Sequence, residues 1–464
     1  MVLSIINKFH AKEEKCLETL IANWILAWSL LCDCCAKLIE YIKDIILSDH
    51  FITLHKQKPS DFTRQRKLPF QTLIFFMINL ISGSYQKELN NFFQILLGFD
   101  VPKRFVSKVA LSKARLKLKY EAFVELNRHL VQYFYQHFES VSKWHGFNLL
   151  VVDGSLIRLP RIKKIAEYFG AWHPVRGDEC PMARASLLFD PLNRISIDAI
   201  ISPKHIGERE LAAQHFLKLL PEDLVLLDRG YPAYWLFNLI LSLQANFCAR
   251  ISNKKWKIVR KFFNSGKREK IISLPAYWTS IKMCRQMGLD LKPLKLRLIR
   301  VDLPNGETEV LITSLINKDL YPYDIFAELY HQRWFVEEDY KKLKCWIEVE
   351  NFTGKTVLSI YQDFHARVFS KNMTQVLSLP TKPFIEQADR NRKYSYQVNF
   401  AQALASVKNT IVLLFNRSME MVNRLLHDLL ELLSITVEPV RPGRSYPRNH
   451  KKRKNFYLNY KPIG

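Results

Sequence analysis

The sequence predicts an α/β fold in which a core of mixed strands and helices carries a strand-rich insertion and is flanked by helical regions on both sides. Three observations carry this. Between residues 146 and 251 the apolar runs read as strand, hairpin, helix, strand, helix, strand. Before residue 145 and again over residues 355–435, apolar residues recur at helical spacing with few breakers. Finally, the stretch from Leu329 to Ile347 lacks Gly and Pro. It sets Leu329, Val336, Tyr340, Leu343 and Ile347 at spacings of 7, 4, 3 and 4, the buried stripe of one helix.

Each region follows from its own signals. Over residues 1–145, the stretches Leu17–Leu47 and Leu68–Ile81 carry apolar periodicity, and Pro59 and Pro69 punctuate the passage from one to the other. Two amphipathic helices follow, Gln86–Leu97 and Arg104–Leu118, joined by the turn Gly98–Pro102. The second is basic, with Arg104, Lys108, Lys113, Arg115 and Lys117, so the pair reads either as a DNA-binding helix–turn–helix or as an ordinary helical hairpin. In the core, residues 146–251, Asn148–Val152 and Leu224–Leu227 are short apolar strands ending in Asp153 and Asp228. Arg184–Phe189 and Arg194–Ile201 form a hairpin around Asp190-Pro-Leu-Asn193. Gly207–Leu220 and Pro232–Leu243 are helices, and Asn246–Ile251 is a further strand. Residues 252–316 read as the insertion, closing with Lys295–Asp302 and Glu309–Leu315 about an Asn-Gly turn. Residues 317–366 return to the core with the helix named above. Residues 367–464 are helical and end in a tail with eight Lys or Arg from Arg441 onward and no acid.

Composition narrows the partner. The 464 residues are 48% hydrophobic and 12% aromatic, which describes a folded chain with a sizeable core. A net charge of +25 disfavours self-association and favours a polyanion such as nucleic acid; a basic membrane-surface protein is the rival. The apolar runs Leu20–Cys32 and Thr72–Ile81 fall short of the roughly 20 residues that span a bilayer. Met1–Ile6 lacks the basic start and cleavage site of a signal peptide, so a cytoplasmic protein is expected. Eight cysteines in so long a chain make no disulfide framework. Cys32, Cys34 and Cys35 cluster without a second Cys or His pair at zinc spacing, and read as buried thiols.

The chemistry lies in three carboxylates. On the helix, at about 100° per residue, Tyr330, Arg333, Glu337, Lys341 and Lys344 fall within roughly 80° of arc. That face is either a solvated one with i,i+4 ion pairs or a metal-binding Glu whose neighbours grip a phosphodiester. Asp153 and Asp228 sit at the ends of apolar strands, where open sheets form sites, although Asp there is also a common turn former. Two strand-terminal aspartates and a later helical glutamate, in that order, make the ribonuclease H-like arrangement. Oxygen donors without His or Cys suit Mg²⁺ or Mn²⁺, and two such ions serve phosphoryl transfer.

These residues sit in a wider pattern. The spacing Tyr330-x2-Arg333-x3-Glu337-x6-Lys344, the runs Val152-Asp153-Gly154-Ser155 and Leu227-Asp228-Arg229-Gly230-Tyr231, and the later Glu350–Gly354 and Gln362–Ala366 resemble DDE transposases of the insertion sequence 4 family. Residues 208–211, Glu-Arg-Glu-Leu, precede the second motif much as in relatives. The resemblance runs from about Phe62 to Ala366 and implies cut-and-paste DNA transposition: an element end is nicked and its 3′ hydroxyl is joined to target DNA. It implies Asp153, Asp228 and Glu337 as ligands of two Mg²⁺ or Mn²⁺ ions. Tyr330, Arg333, Lys344 and Lys341 would be DNA contacts, and Trp256 or Trp278 the base-stacking tryptophan. It also implies a homodimer on DNA, associated with the bacterial nucleoid. The rivals are a catalytically silent DNA-binding derivative and a nuclease that cuts without joining.

Overall fold

The structure is a computed structural model that describes residues 32–172, 179–303, 306–388 and 392–441. Residues 1–31 and the basic tail beyond Arg441 lie outside the described residues. The strands in chain order are β1 (Asn148–Arg158), β2 (Ala171–Trp172), β3 (Cys180–Asp190), β4 (Ile195–Pro203), β5 (Asp223–Leu227), β6 (Asn246–Ile251), β7 (Glu269–Leu274), β8 (Leu294–Asp302), β9 (Thr308–Thr313), β10 (Tyr396–Val398) and β11 (Val437–Pro439). All but the last two join one nine-stranded sheet.

The centre of that sheet has the order β4-β3-β1-β5-β6. β1, β3 and β4 are antiparallel, while β5 and β6 run parallel to β1. This is the ribonuclease H-like core that the sequence predicts. Apolar residues at alternate positions bury both faces. Leu149, Val151, Leu224, Leu226 and Cys248 face one side, and Leu150, Val152, Val225, Leu227 and Phe247 the other. The inserted segment continues the same sheet instead of standing apart. β9 returns antiparallel to β6 with Ile251 opposite Val310, and β8 and β7 follow outward.

The boundary that moves at the site is that of β1. β1 does not stop at Val152 but runs on to Arg158, because residues 151–158 pair with β3 after the partnership with β5 has ended at Val152 and Leu227. Asp153 is therefore an interior strand residue at the point where the sheet divides. Only Asp228 truly ends its strand.

Outside the sheet, the N-terminal and C-terminal helices share one hydrophobic core, with Ile39, Leu73, Phe92 and Leu126 packed beside Phe369, Val407 and Leu426. Cys32 and Cys35 are buried in the helix over residues 32–47, as expected, and burial pushes the Cys32 thiol up to about 11. Among the described residues no helix is long and apolar enough to cross a membrane. The hairpin expected near residue 100 forms from Tyr85–Leu97 and Lys108–Arg115, and Gly98 closes the first helix in the left-handed conformation. The second helix is shorter than its apolar pattern suggests, with Arg104 in the preceding loop and Lys117 beyond its end.

The axis of the molecule is the helix Val357–Ser378, buried along nearly its whole length although rich in polar residues. Arg115, from the short basic helix, inserts against it. Its guanidinium donates to Asp363 at 2.8 Å, to Gln362 at 2.9 Å and to Thr353 at 2.8 Å, and also to the Tyr85 hydroxyl. Gln362 answers by donating to the carbonyls of Arg115 and Leu118, both at 2.8 Å. The two motifs after residue 350 thus clasp the N-terminal region to the core. Arg115 and Asp363 are 5% and 3% exposed, so removing one charge strands the other in a dry interior. Asp363→Ala is expected to lower stability by about 3–5 kcal/mol in denaturant melts. A loss below about 1 kcal/mol, the range of a surface pair, would contradict the clasp.

Candidate active site

The register of the parallel strands builds the site. Val152 lies beside Leu227, and Leu227 beside Ala249. One residue further along, Asp153, Asp228 and Arg250 are neighbours on the face shared with Leu149, Val151, Leu226 and Cys248. Strands about 4.8 Å apart make this a tight row. Beside Arg250, Glu309 of β9 completes it. The Arg250 guanidinium reaches Asp228 Oδ1 at 2.9 Å with one terminal nitrogen and Glu309 with the other. Gly154 permits a close approach from the next element: a Cβ there would lie 3.1 Å from Glu208 Cγ. Glu208 is itself paired with Arg184.

The glutamate helix covers this face. Val336, Tyr340 and Leu343 pack into the sheet, and Asp339 forms a buried ion pair with Lys371 of the long helix at 2.5 Å. Two tyrosine hydroxyls staple it down. Tyr330 donates to the Leu227 carbonyl at 3.3 Å, and Tyr340 to the Asp153 carbonyl at 3.0 Å. The helix is not a uniform 100° wheel. A 3₁₀ turn over Gln332–Trp334 and a π turn over Lys342–Trp346 bracket Phe335–Lys341 and rotate the flanking residues.

That rotation sorts the predicted residues. Arg333 is 3% exposed and lies among the carboxylates, donating to Glu337 at 3.0 Å, so the solvated-face reading fails for it. Lys344 turns to β1, donating to Ser155 Oγ at 2.6 Å and the Leu156 carbonyl at 3.0 Å. Tyr330 is buried and its hydroxyl is engaged by backbone, which differs from a hydroxyl free to hold phosphate. Lys341 is exposed and lines a cavity with Arg194, Glu338, Lys342 and Trp346, a lining that contains none of the three carboxylates. Trp256 stacks on Tyr277 with centroids 5.4 Å apart, whereas Trp278 is 83% exposed.

Sequence reasoning missed Arg250 and Glu309, and passed over Glu208 as no more than an upstream motif. Their only signal is the parity of the strands: Arg250 falls one residue past Ala249, as Asp228 falls past Leu227.

Charge decides what the row holds. Burial pushes Asp153 up to about 6, and the nearby Asp228 and Glu337 add to this against the Gly154 N–H and Arg333. Burial acts on Asp228 in the same sense, but the Arg229 N–H and the charges of Arg333 and Arg250 hold it below its ordinary value. Among the described residues no group of three His, Cys, Asp or Glu side chains is arranged to hold a metal ion. Asp228 and Glu337 each give an oxygen to a guanidinium, which supplies the positive charge. The donor chemistry still fits a hard divalent cation: three carboxylates with oxygen donors only. Buried donors without a partner among the described residues surround the row, namely Tyr231 Oη and the Nε atoms of Arg184, Arg250 and Arg333. Donors of this kind suit an anionic oxygen ligand.

The Asp153 shift makes a prediction whose sign is fixed. The folded carboxyl binds its proton more tightly than the unfolded one, so its ionisation erodes stability as pH rises from about 4 to about 6. Asp153→Asn is expected to raise stability at pH 7 by about 1–3 kcal/mol, a gain that vanishes near pH 4. Urea melts at the two pH values check this, and a pH-independent difference would contradict it.

Known proteins match this chain over most of its length. Residues 144–373 match the family described as Transposase DDE domain. Over 396 residues the chain is 21% identical to Transposase InsG for insertion sequence element IS4 of Escherichia coli (strain K12), covering 84% of this chain and 87% of that protein. A cryo-EM structure of the piggyBac transposase synaptic complex with hairpin DNA superposes with a TM-score of 0.43 at 10% identity, over 89% of this chain and 88% of that one. The chain is thus a DDE transposase, similar over most of its length to that of insertion sequence element IS4.

Proposed function

We propose that the row of Asp153 and Asp228 beneath Glu337 is the centre at which this transposase cuts an element end and joins it to target DNA. The observation that carries the reading is the register, which puts the two aspartates side by side under a helix stapled to the residues around them. DDE transposases generally use divalent metal ions. In our reading Asp153, Asp228 and Glu337 hold two Mg²⁺ or Mn²⁺ ions, which when bound supply Lewis acidity to the scissile phosphate. The chain's own residues do the positioning. Arg333, planar and buried, exchanges its bond to Glu337 for a phosphate oxygen. Lys344 holds the far side of the cleft through Ser155, and Tyr330 sets the height of the helix. Lys341 meets the DNA backbone outside the cleft. Exposed Trp278, not the stacked Trp256, receives an unpaired base. The exposed Lys108 and Lys113 and the tail bind flanking duplex, and two copies act together on paired ends.

Single-turnover cleavage of a labelled end, followed by joining of a pre-cut end, tests this. Asp228→Asn is expected to abolish both steps while end binding stays within a few-fold. Arg333→Lys, which keeps charge but loses the planar fork, is expected to slow cleavage by about a hundredfold, the scale of a misplaced reacting group. Wild-type cleavage by Asp228→Asn would remove the carboxylate role, and cutting without joining would make the protein a nuclease. Deleting residues 441–464 is expected to flatten the salt dependence of DNA binding, by about 0.9 in log–log slope for each phosphate that the tail neutralises. An unchanged slope would assign the tail elsewhere.

A further inference from the structure

The strand that brings the insertion back into the sheet also brings an acid to the catalytic row. β9 pairs with β6, Arg250 lies opposite Leu311, and Glu309 stands two residues from Leu311 on the same face. Arg250 therefore lies between two carboxylates supplied by different segments of the sheet. One terminal nitrogen holds Asp228 Oδ1 at 2.9 Å and the other holds Glu309. Its Nε is buried without a partner, so among the described residues the guanidinium's hydrogen bonds are those two. We infer that Arg250, anchored by Glu309, is a positioning residue that fixes the orientation of the Asp228 carboxylate, so that the insertion takes part in aligning the active site.

The inference rests on the reading of Asp228 as an active carboxylate. Geometry carries it further than an ordinary ion pair would go. A carboxylate at the end of a strand rotates about its own side-chain bonds, and its last backbone pairing is one residue behind, at Leu227. A planar guanidinium held at its other end restricts that rotation, and the restraint leaves Asp228 Oδ2 for the reacting centre. An exposed pair would contribute little, but these side chains are 27%, 32% and 19% exposed for Arg250, Asp228 and Glu309, and all three spring from paired or strand-end backbone. Lysine cannot reproduce the arrangement, because a single ammonium lacks the fork that spans both acids.

The test is a double-mutant cycle on single-turnover end cleavage at saturating DNA, with end affinity and melting temperature measured alongside. Arg250→Gln is expected to cut at least tenfold more slowly, Arg250→Lys to recover little of that loss, and Glu309→Gln to lose several-fold. The double variant Arg250→Gln/Glu309→Gln is expected to be no slower than Arg250→Gln alone, with DNA affinity within threefold throughout. Glu309→Gln and Arg250→Lys keep the inference testable should Arg250→Gln fold poorly. Cleavage within twofold of wild type by Arg250→Gln or Arg250→Lys would overturn the inference. So would losses that multiply in the double variant, or a fall in melting temperature that parallels the fall in rate across the series. Asp228→Asn, run in the same assay, tells failure of the carboxylate reading apart from failure of this one. If Asp228→Asn cuts normally the site is elsewhere, and if only Arg250 and Glu309 prove dispensable the site stands without them.

Discussion

Everything at this site depends on one constraint: the pairing of two parallel strands, β1 and β5, ends at the same level on both. Because Val152 is beside Leu227, the next residue of each strand is an aspartate facing its neighbour. Two carboxylates that close repel each other, and burial raises the cost, which the upward shift of Asp153 reflects. Arginines from two directions balance the charge, Arg250 along the sheet and Arg333 from the helix above. A cluster of this kind is expensive to keep without a ligand and gains when phosphate and metal ions replace the internal partners. The arrangement is thus an ion-pair network that joins Asp228, Arg250, Glu309, Arg333 and Glu337 around Asp153.

Rigid surroundings hold that network in place. The helix Val357–Ser378 threads between the helical body and the sheet, and its polar side chains each tie in a different segment. Asp363 takes Arg115 of the N-terminal hairpin, Arg367 donates to the carbonyls of Ile81, Val349 and Asn351, and Lys371 pairs with Asp339 two residues from Glu337. Buried pairs of this sort add little net stability over well-packed apolar residues, yet they penalise any misfit heavily. Their value here is alignment, since the glutamate arrives on a helix whose depth is set by Lys371 below and by two tyrosine hydroxyls beside the aspartates.

Much of this is legible in the sequence, because it follows from local patterns. Short apolar runs place β5 and β6 nearly to the residue, and the stripe from Leu329 to Ile347 gives the helix and its buried side. What stays hidden is non-local. No periodicity reports that β1 continues past Asp153, because Asp153-Gly154-Ser155 reads as a turn until β3 is laid against it. A wheel of constant pitch cannot foresee the 3₁₀ and π turns that send Arg333 inward, Lys344 to Ser155 and Lys341 outward. Arg115 reads as one cation of a DNA-reading face and is instead the most enclosed charge of its hairpin, since its partners lie some 250 residues away. Arg250 carries no motif at all, and only the strand register reveals it.

The central claim is that Asp153, Asp228 and Glu337 meet at one metal-loaded centre when an element end is bound. Fe²⁺ loaded in place of the native ion, with ascorbate and peroxide, generates hydroxyl radicals that cut the polypeptide next to the metal. In the protein–DNA complex the account predicts three fragmentation sites, near residues 153, 228 and 337, all suppressed together by excess Mg²⁺. Cuts confined to one of these segments, or clustered elsewhere in the chain, would contradict it.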